Sequence, residues 1–422
     1  MKKLLVILTM LAFPVFANKP AAPPMSAEEK KQSAEFDKWL VGMKRDIVAK
    51  HKIPQATVDK AFAGITYQYQ AVRADMKQPE FRKSFLQYFD TTVTEARIKG
   101  GREAMRTHAK LLADVAKRHG VRSQYLMAFW GMETNFGTIM GNYNLVSALS
   151  TLAFNPRRRD FFTKELVAFV KIIDAGHMSS SAKGSWAGAF GNFQFMPTTF
   201  ASYAVDGDGD GKIDLVGSHA DAFASAANYL ASMGWRGKER WGRPVTFDYK
   251  NAKIWQHANT FDQRPMRELA ALGLRSHDGK KLQLSDMQAM LVAPDGQFGP
   301  AFLVYENHRL IMRWNASTNY ALSIGLLADL VAGENVQVHR PEGWSEMRPL
   351  LGSQIIEVQE ALKKRGLYES SVDGIMRRHT YAAVKKYQNL LLEAGQTRYG
   401  SGVPIVPDGY PSVDVYMELM GG

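Results

Sequence analysis

Glu133 stands in the run Trp130-Gly131-Met132-Glu133-Thr134-Asn135-Phe136-Gly137, at the end of an apolar helical stretch. The last carbonyls of a helix carry partial negative charge, which disfavours an ionised carboxylate beside them. Trp130, Met132 and Phe136 flank Glu133 and supply apolar surroundings that act in the same direction. The expected result is a carboxyl group that keeps a proton near neutral pH and serves as a general acid. An exposed Glu at an ordinary helix end is the competing reading of the same run.

A second segment bears on that choice. Gly184-Ser185-Trp186-Ala187-Gly188-Ala189-Phe190-Gly191-Asn192-Phe193-Gln194-Phe195-Met196-Pro197 carries small residues that permit close backbone approach, and its proline suits the opening of a helix. Ser185 can donate a hydrogen bond to a nearby carboxylate, and Gln194 can bind an amide or hydroxyl of a sugar. A glycine-rich loop that merely packs is the alternative. Downstream, Asp206, Asp208 and Asp210 alternate and Gly211 takes the sixth position, as in the first half of an EF-hand calcium loop. Lys212 offers only its backbone carbonyl at the seventh position, and Asp214 can bind directly or through water. Gly217 stands at the twelfth, so the usual bidentate Glu is missing. Carboxylates this close repel one another without a cation. A solvated Asp/Gly turn is the alternative. The histidines show no metal-ligand spacing, and Arg157-Arg158-Arg159 reads as a solvated helix start.

These residues need a scaffold, and most of the chain is patterned as helix. Phe36, Trp39, Leu40 and Met43 recur at three- and four-residue spacing. Gln78-Pro79-Glu80-Phe81 opens another helix, residues 102–119 are helical and stop at Gly120, and Ser123 is the expected N-cap of the Glu133 helix, which Gly137 ends. Between about 245 and 315 the texture changes. Residues 244–249 and 301–305 read as short strands of a small mixed insert. Helix returns at Ser317 to Val331. Residues 333–346 read as a linker, and 347–422 as a separate module with helices around Ile355–Leu362 and Thr380–Tyr387. The fold class expected is mainly α (α+β).

The chain of 422 residues is long enough for two or three domains. A net charge of +12 favours polyanionic surroundings. The absence of a dense Lys/Arg run or a nucleic-acid motif argues against nucleic acid. Lys2, Lys3 and the apolar stretch Leu4–Phe16 read as an export signal cleaved after Ala17, with a disordered leader over 18–25. The stretch is too short for a permanent membrane anchor, and a short buried helix is its alternative. There is no cysteine, hence no disulfide framework and no site for lipid attachment. A soluble periplasmic or secreted protein is expected, the periplasm being the favoured site.

In this order, Gln78–Phe81, Glu133 with Thr134 and Gly137, Gly184–Pro197, Asp206–Gly211 and Arg313-Trp314-Asn315-Ala316-Ser317-Thr318-Asn319-Tyr320-Ala321-Leu322 resemble the lytic murein transglycosylase B family over about residues 30–332. The resemblance implies a lysozyme-like helical core over a catalytic domain of residues 26–332. It implies cleavage of peptidoglycan glycan strands between N-acetylmuramic acid and N-acetylglucosamine. It places the acid/base on Glu133, the serine that contacts it on Ser185, a cleft glutamine on Gln194 and cleft rings on Trp314 and Tyr320. A relative carries tyrosine at the first ring position, so here a ring is kept and its hydroxyl is not. It also places a late carboxylate ligand for a structural calcium ion on Asp221, beside Asp206, Asp208, Asp210 and the Lys212 carbonyl. Val358–Leu362, Gly366, Val372–Gly374 and Thr380–Gln388 resemble a peptidoglycan-binding domain of the small three-helix type over 347–422.

Glycosidases usually need two carboxylates, and the sequence gives no clear second one near Glu133. Substrate assistance removes that need. Glu133 would protonate the leaving oxygen while the muramic acid N-acetyl group stabilises positive charge at C1. Glu133 would then act as base on the C6 hydroxyl, which closes onto C1 to give an anhydro-muropeptide without water or catalytic cofactor. A hydrolytic muramidase and a non-catalytic wall-binding scaffold are the alternatives.

Overall fold

The computed structural model describes residues 26–77, 83–341 and 344–421. The expected signal, the leader, the Gln78–Phe81 motif and two linker residues lie outside these. The described chain divides into two compact units, one of residues 26–77 and 99–235, the other of 83–98 and 236–421. The division does not fall at the expected linker: residues 236–332 and the C-terminal module share a unit.

The first unit is helical. Its longest helix, Ala27–His51, starts in a capping box in which Ser26 and Glu29 satisfy each other's backbone N–H groups. Residues 102–119 are helical, as expected, in two pieces. Glu95–Thr107 and Ala109–His119 meet at His108, and Gly120 closes the second with a left-handed φ of 70°. The Glu133 helix runs Ser123–Thr134 and is capped one residue earlier than expected, by Arg122, whose backbone is extended. Its residues Tyr125 to Gly131 are buried without a polar face. The helix Leu145–Phe154 is buried from Leu145 to Ala153 and packs against Arg159–Asp174. A helix apolar all round belongs in a core, and these two form it. Arg157 and Arg159 are exposed at the start of the Arg159–Asp174 helix, as expected, and Arg157 and Arg158 also pair with Asp75, which is buried. An ionised carboxylate away from water needs such partners.

The second unit carries the mixed insert and the C-terminal module. The insert is a five-stranded antiparallel sheet in the order Arg264–Pro265, Gln288–Val292, Ala301–Val304, Gly242–Thr246, Arg275–Ser276. The helix Thr318–Val331 follows with Ser317 as N-cap, its hydroxyl accepting the Tyr320 N–H. Gly325 lies under Trp241, where a Cβ would meet the indole at 2.1 Å.

The module has three helices, Gly352–Lys364, Arg378–Glu393 and Val413–Gly421, around Ile355, Val358, Leu362, Val384 and Val415. It is docked on the insert. Lys385 donates to the carbonyls of Trp255, Gln256 and Ala258. Burial pushes Lys385 down to about 8, against the attraction of Asp408 and Asp262. Asp408, itself buried, accepts the N–H of Gln297, and Val406 belongs to the insert's apolar core.

Candidate active site

Glu133 is the penultimate residue of its helix and is half-buried. The chain after it turns sharply. Asn135 and Phe136 both have positive φ, 49° and 59°, and Gly137 follows at 81°. Two successive non-glycine residues in the left-handed region carry backbone strain, which persists only where surrounding contacts hold it. Here the contacts are explicit. The Thr134 hydroxyl accepts the Gly137 N–H at 3.0 Å, and the Thr134 carbonyl accepts the Ile139 N–H at 2.9 Å. Gly137 is therefore not the helix terminator expected from the sequence; it is the third residue of a left-handed turn that Asn135 begins.

The glycine-rich segment is clasped to this turn at three places. Asn192 accepts the indole N–H of Trp130 on its side-chain oxygen at 2.8 Å and the Thr134 hydroxyl on its carbonyl at 2.8 Å. Gln194, with φ of 50°, donates from its amide to the carbonyls of Met140 at 3.2 Å and Gly191 at 3.1 Å. Among the described residues its Oε1 has no partner, and that oxygen is the acceptor it can offer a ligand. At the third place Gly141 lies against Gly184 and Ser185, where a Cβ on Gly141 would sit 2.2 Å from the Gly184 carbonyl. The strand pair Tyr143–Asn144 with Lys183–Gly184 continues that contact.

Ser185 is half-buried and its Oγ accepts the Ala189 N–H at 2.9 Å. One of its two lone pairs is used in the turn, and its O–H proton is a group Ser185 can give. Pro197 opens the helix Pro197–Tyr203 from its first position. So the structure brings Glu133, Ser185 and Gln194 into one unit and ties the segment that bears the latter two to the glutamate's turn.

Trp314 and Tyr320 belong to the other unit. Trp314 ends the helix Glu306–Trp314 and is partly buried. Tyr320 stands in the first turn of Thr318–Val331 and is only 3 % exposed, too little for its ring to stack on a sugar.

The Asp loop gathers three of the expected ligands. One oxygen from each of Asp206, Asp208 and Asp210 lies within 4.8 Å of the others. Gly211 has a φ of 88° and gives the sharp sixth-position turn such a loop requires. The Gly211 N–H, helped by that of Gly209, holds the Asp206 carboxyl below its usual range against the opposing effect of burial. The arrangement fits a hard cation of the calcium type, which takes several carboxylate and carbonyl oxygens. Asp221 has a different place. It is 1 % exposed, and its two oxygens accept the N–H groups of Gly207 and Asp214, both at 2.7 Å. It staples the two ends of the loop to the start of the helix His219–Ser232.

Three positions that pack around the candidate site had no clear signal in the sequence. Asn192 is fully buried, and neither its type nor its spacing marks it. His108 and His219 approach with ring centroids 4.7 Å apart, and both pack on Trp130. Burial lowers the pKa of each, and the second imidazole adds to the effect at His108. With Phe136 and Phe223 they cage the Trp130 ring one turn before Glu133. A cavity of about 710 Å³ on the first unit, lined by His51, Lys164, Lys171, His177, Phe200 and Ile213 among others, includes none of Glu133, Ser185 or Gln194.

Comparison with known proteins supplies the context. Residues 35–329 match the transglycosylase SLT domain family, and residues 352–390 match a peptidoglycan binding domain family. The chain is 32 % identical over 258 residues to the membrane-bound lytic murein transglycosylase B of Escherichia coli, which covers 60 % of this chain and 69 % of that protein. It is similar to the crystal structure of SltB3 from Pseudomonas aeruginosa in complex with NAG-anhNAM-pentapeptide, with a TM-score of 0.81 and 38 % identity over 91 % of this chain and 99 % of that one. It is also similar to the Escherichia coli lytic transglycosylase SLT35 in complex with calcium, with a TM-score of 0.59 and 28 % identity over 69 % of this chain and 92 % of that one. The lysozyme-like helical fold expected from the sequence is the fold of these relatives.

Proposed function

We propose, from the premise that this chain belongs to the transglycosylase SLT domain family, that it is a peptidoglycan lytic transglycosylase in which Glu133 serves as acid and then as base. The observation that carries the assignment is the clasp around Glu133. A half-buried carboxyl at a helix end is followed by a strained turn, and three separate contacts hold that turn to the glycine-rich segment. Such over-determined geometry suits a group that must keep its place during reaction.

In the reaction Glu133 gives its proton to the glycosidic oxygen as the bond to C1 of the muramic acid breaks. The sugar's own N-acetyl oxygen stabilises the positive charge at C1. The carboxylate then takes the proton from the C6 hydroxyl, whose oxygen bonds to C1. The proton count is restored, no water is consumed and no catalytic cofactor is needed. Ser185 orients the glutamate through its free O–H proton, and Gln194 offers its amide oxygen to the glycan.

The Asp206, Asp208 and Asp210 carboxylates and the Lys212 carbonyl would hold a calcium ion, with Asp221 bracing the loop. A relative has been crystallised with calcium. The ion would neutralise crowded carboxylates and order the loop. The C-terminal module would bind the wall and raise the enzyme's local concentration on an insoluble substrate. The site of action would be the periplasm. No described helix is long and apolar enough to cross a membrane.

The test is digestion of purified sacculi. Glu133→Gln lowers the rate by about 10²- to 10⁴-fold, the usual range for a general acid, and the wild-type products carry anhydro ends. Products heavier by one water would establish a hydrolase instead. A Glu133→Gln enzyme of near-full activity would refute both.

A further inference from the structure

We propose that Asn192 is a positioning residue that joins the Asp206–Asp214 loop to the end of the Glu133 helix, so that a cation bound at the loop is felt at the glutamate. This rests on the assignment of Glu133 as the acid.

Asn192 is 0 % exposed, and all its hydrogen-bonding groups are engaged. Half of them face the loop. Its backbone N–H donates to the Leu215 carbonyl at 2.9 Å, and its side-chain amide donates to the carbonyls of Leu215 at 2.9 Å and Val216 at 3.1 Å. The other half face the helix end: the side-chain oxygen takes the Trp130 indole N–H, and the carbonyl takes the Thr134 hydroxyl. Trp130 and Thr134 bracket Glu133, one turn before it and one residue after.

Leu215 and Val216 continue directly from the loop. The Asp214 carboxylate accepts the N–H groups of Val216 and Gly217 at 3.0 and 2.8 Å, and the Asp214 N–H is held by Asp221. The neighbouring glycines make room for this junction. A Cβ on Gly137 would meet the Asn192 side-chain oxygen at 2.8 Å, and one on Gly191 would meet Leu215 at 2.8 Å. Packing gives a second route. Asp221 stands in the first turn of the helix His219–Ser232, whose His219 and Phe223 rings lie on Trp130. Outer residues that orient a reacting group by buried hydrogen bonds act on rate, since small misplacement of that group costs rate steeply.

The test follows the indole N–H resonance of Trp130 by NMR in the full chain, with the signal assigned by its loss in Trp130→Phe. Calcium is added to chelator-stripped protein, and binding is followed in parallel by calorimetry. In the wild type the Trp130 signal shifts with the midpoint of calcium binding. In Asn192→Ala calcium affinity stays within about threefold, the Trp130 shift is lost, and kcat on soluble glycan falls about 10²-fold with KM nearly unchanged. Asn192→Asp keeps an acceptor for Trp130 but loses the donor to Leu215 and Val216. It serves if the alanine variant does not fold, and it too loses the shift. Absence of calcium binding, a wild-type Trp130 signal unmoved at saturation, or variants that keep both shift and kcat would overturn the proposal. Failure of the Glu133 assignment is distinguishable: Glu133→Gln would then remain active while the Trp130 shift persisted.

Discussion

Replacing Gly141 by alanine should uncouple the glutamate's turn from the glycine-rich segment. The backbone at Gly141 has a φ of +93°, and an added Cβ would lie 2.2 Å from both the carbonyl carbon and oxygen of Gly184 and 2.6 Å from the Ser185 nitrogen. Non-bonded heavy atoms sit about 3.5 Å apart, so the two backbones must part by roughly 1.3 Å. They cannot do so and keep the pairing of Tyr143 with Gly184 and Asn144 with Lys183. The left-handed φ costs about 1–2 kcal/mol for an L-residue, and each backbone hydrogen bond lost costs about 1 kcal/mol. The sum is about 3–5 kcal/mol. For a unit of this size each kcal/mol lowers the melting temperature by about 2–4 °C, which gives a drop of roughly 10 °C. Gly176→Ala is the control, since its φ is +80° but a Cβ there would meet nothing within 4 Å. It bears only the conformational cost and should melt about 2–8 °C below the wild type. Calorimetry and kcat on soluble glycan are measured for both. Gly141→Ala should lose about 10²-fold in kcat, and Gly176→Ala should lose none. Equal melting temperatures with full activity in both would refute the idea that this contact holds the site together.

The second unit should lose stability as the pH rises from about 4 to 7. Burial pushes the Asp295 carboxyl up to about 7 from an ordinary value of 3.8, against the bonds it accepts from the N–H groups of Phe85 and Leu86. Below pH 4 both folded and unfolded forms are protonated. Between 4 and 7 the unfolded chain ionises first, so the folded state loses ground, by about 4 kcal/mol in all, and above 7 the loss is complete. Asp295→Asn should flatten that slope in chemical denaturation, and an unchanged slope would sink the assignment. Truncation after residue 346 should weaken pull-down with sacculi. It should also lower the melting temperature, because it strips Val406 from the insert's core and removes the Lys385 contacts with Trp255, Gln256 and Ala258. Truncated protein that melts as the full chain does would show that the module is not docked.

The helices were legible where burial imposes a period or a cap marks an end. Pro197 opens a helix, another starts at Ser317, and two helices of the C-terminal module show in their apolar spacing. The insert was legible as a change of texture and as two of its strands, observed at Gly242–Thr246 and Ala301–Val304. Two of its five strands, Arg264–Pro265 and Arg275–Ser276, are two residues long and carry no alternation to read. The unit that joins residues 83–98 to 236–421 rests on contacts such as Phe85 with Asp295, 210 positions apart, which no local pattern announces.

Within the site a similar division has a chemical cause. Glu133 and the alternating aspartates stand out because proton transfer and cation binding accept few residue types at few spacings. Asn192 does not stand out, because many polar residues can fill a buried hydrogen-bonding post. Its value comes from partners 62 positions before it and 23 after it. Ring type alone was equally uninformative at Tyr320, since tyrosine serves a core as well as a sugar-binding surface, and here the ring is 3 % exposed. Chemistry can therefore be read from residue identity, whereas the support that makes it efficient is set by which segments the fold brings together. In this chain that support converges on Asn192, between the loop proposed to hold a cation and the helix end that carries the proposed acid.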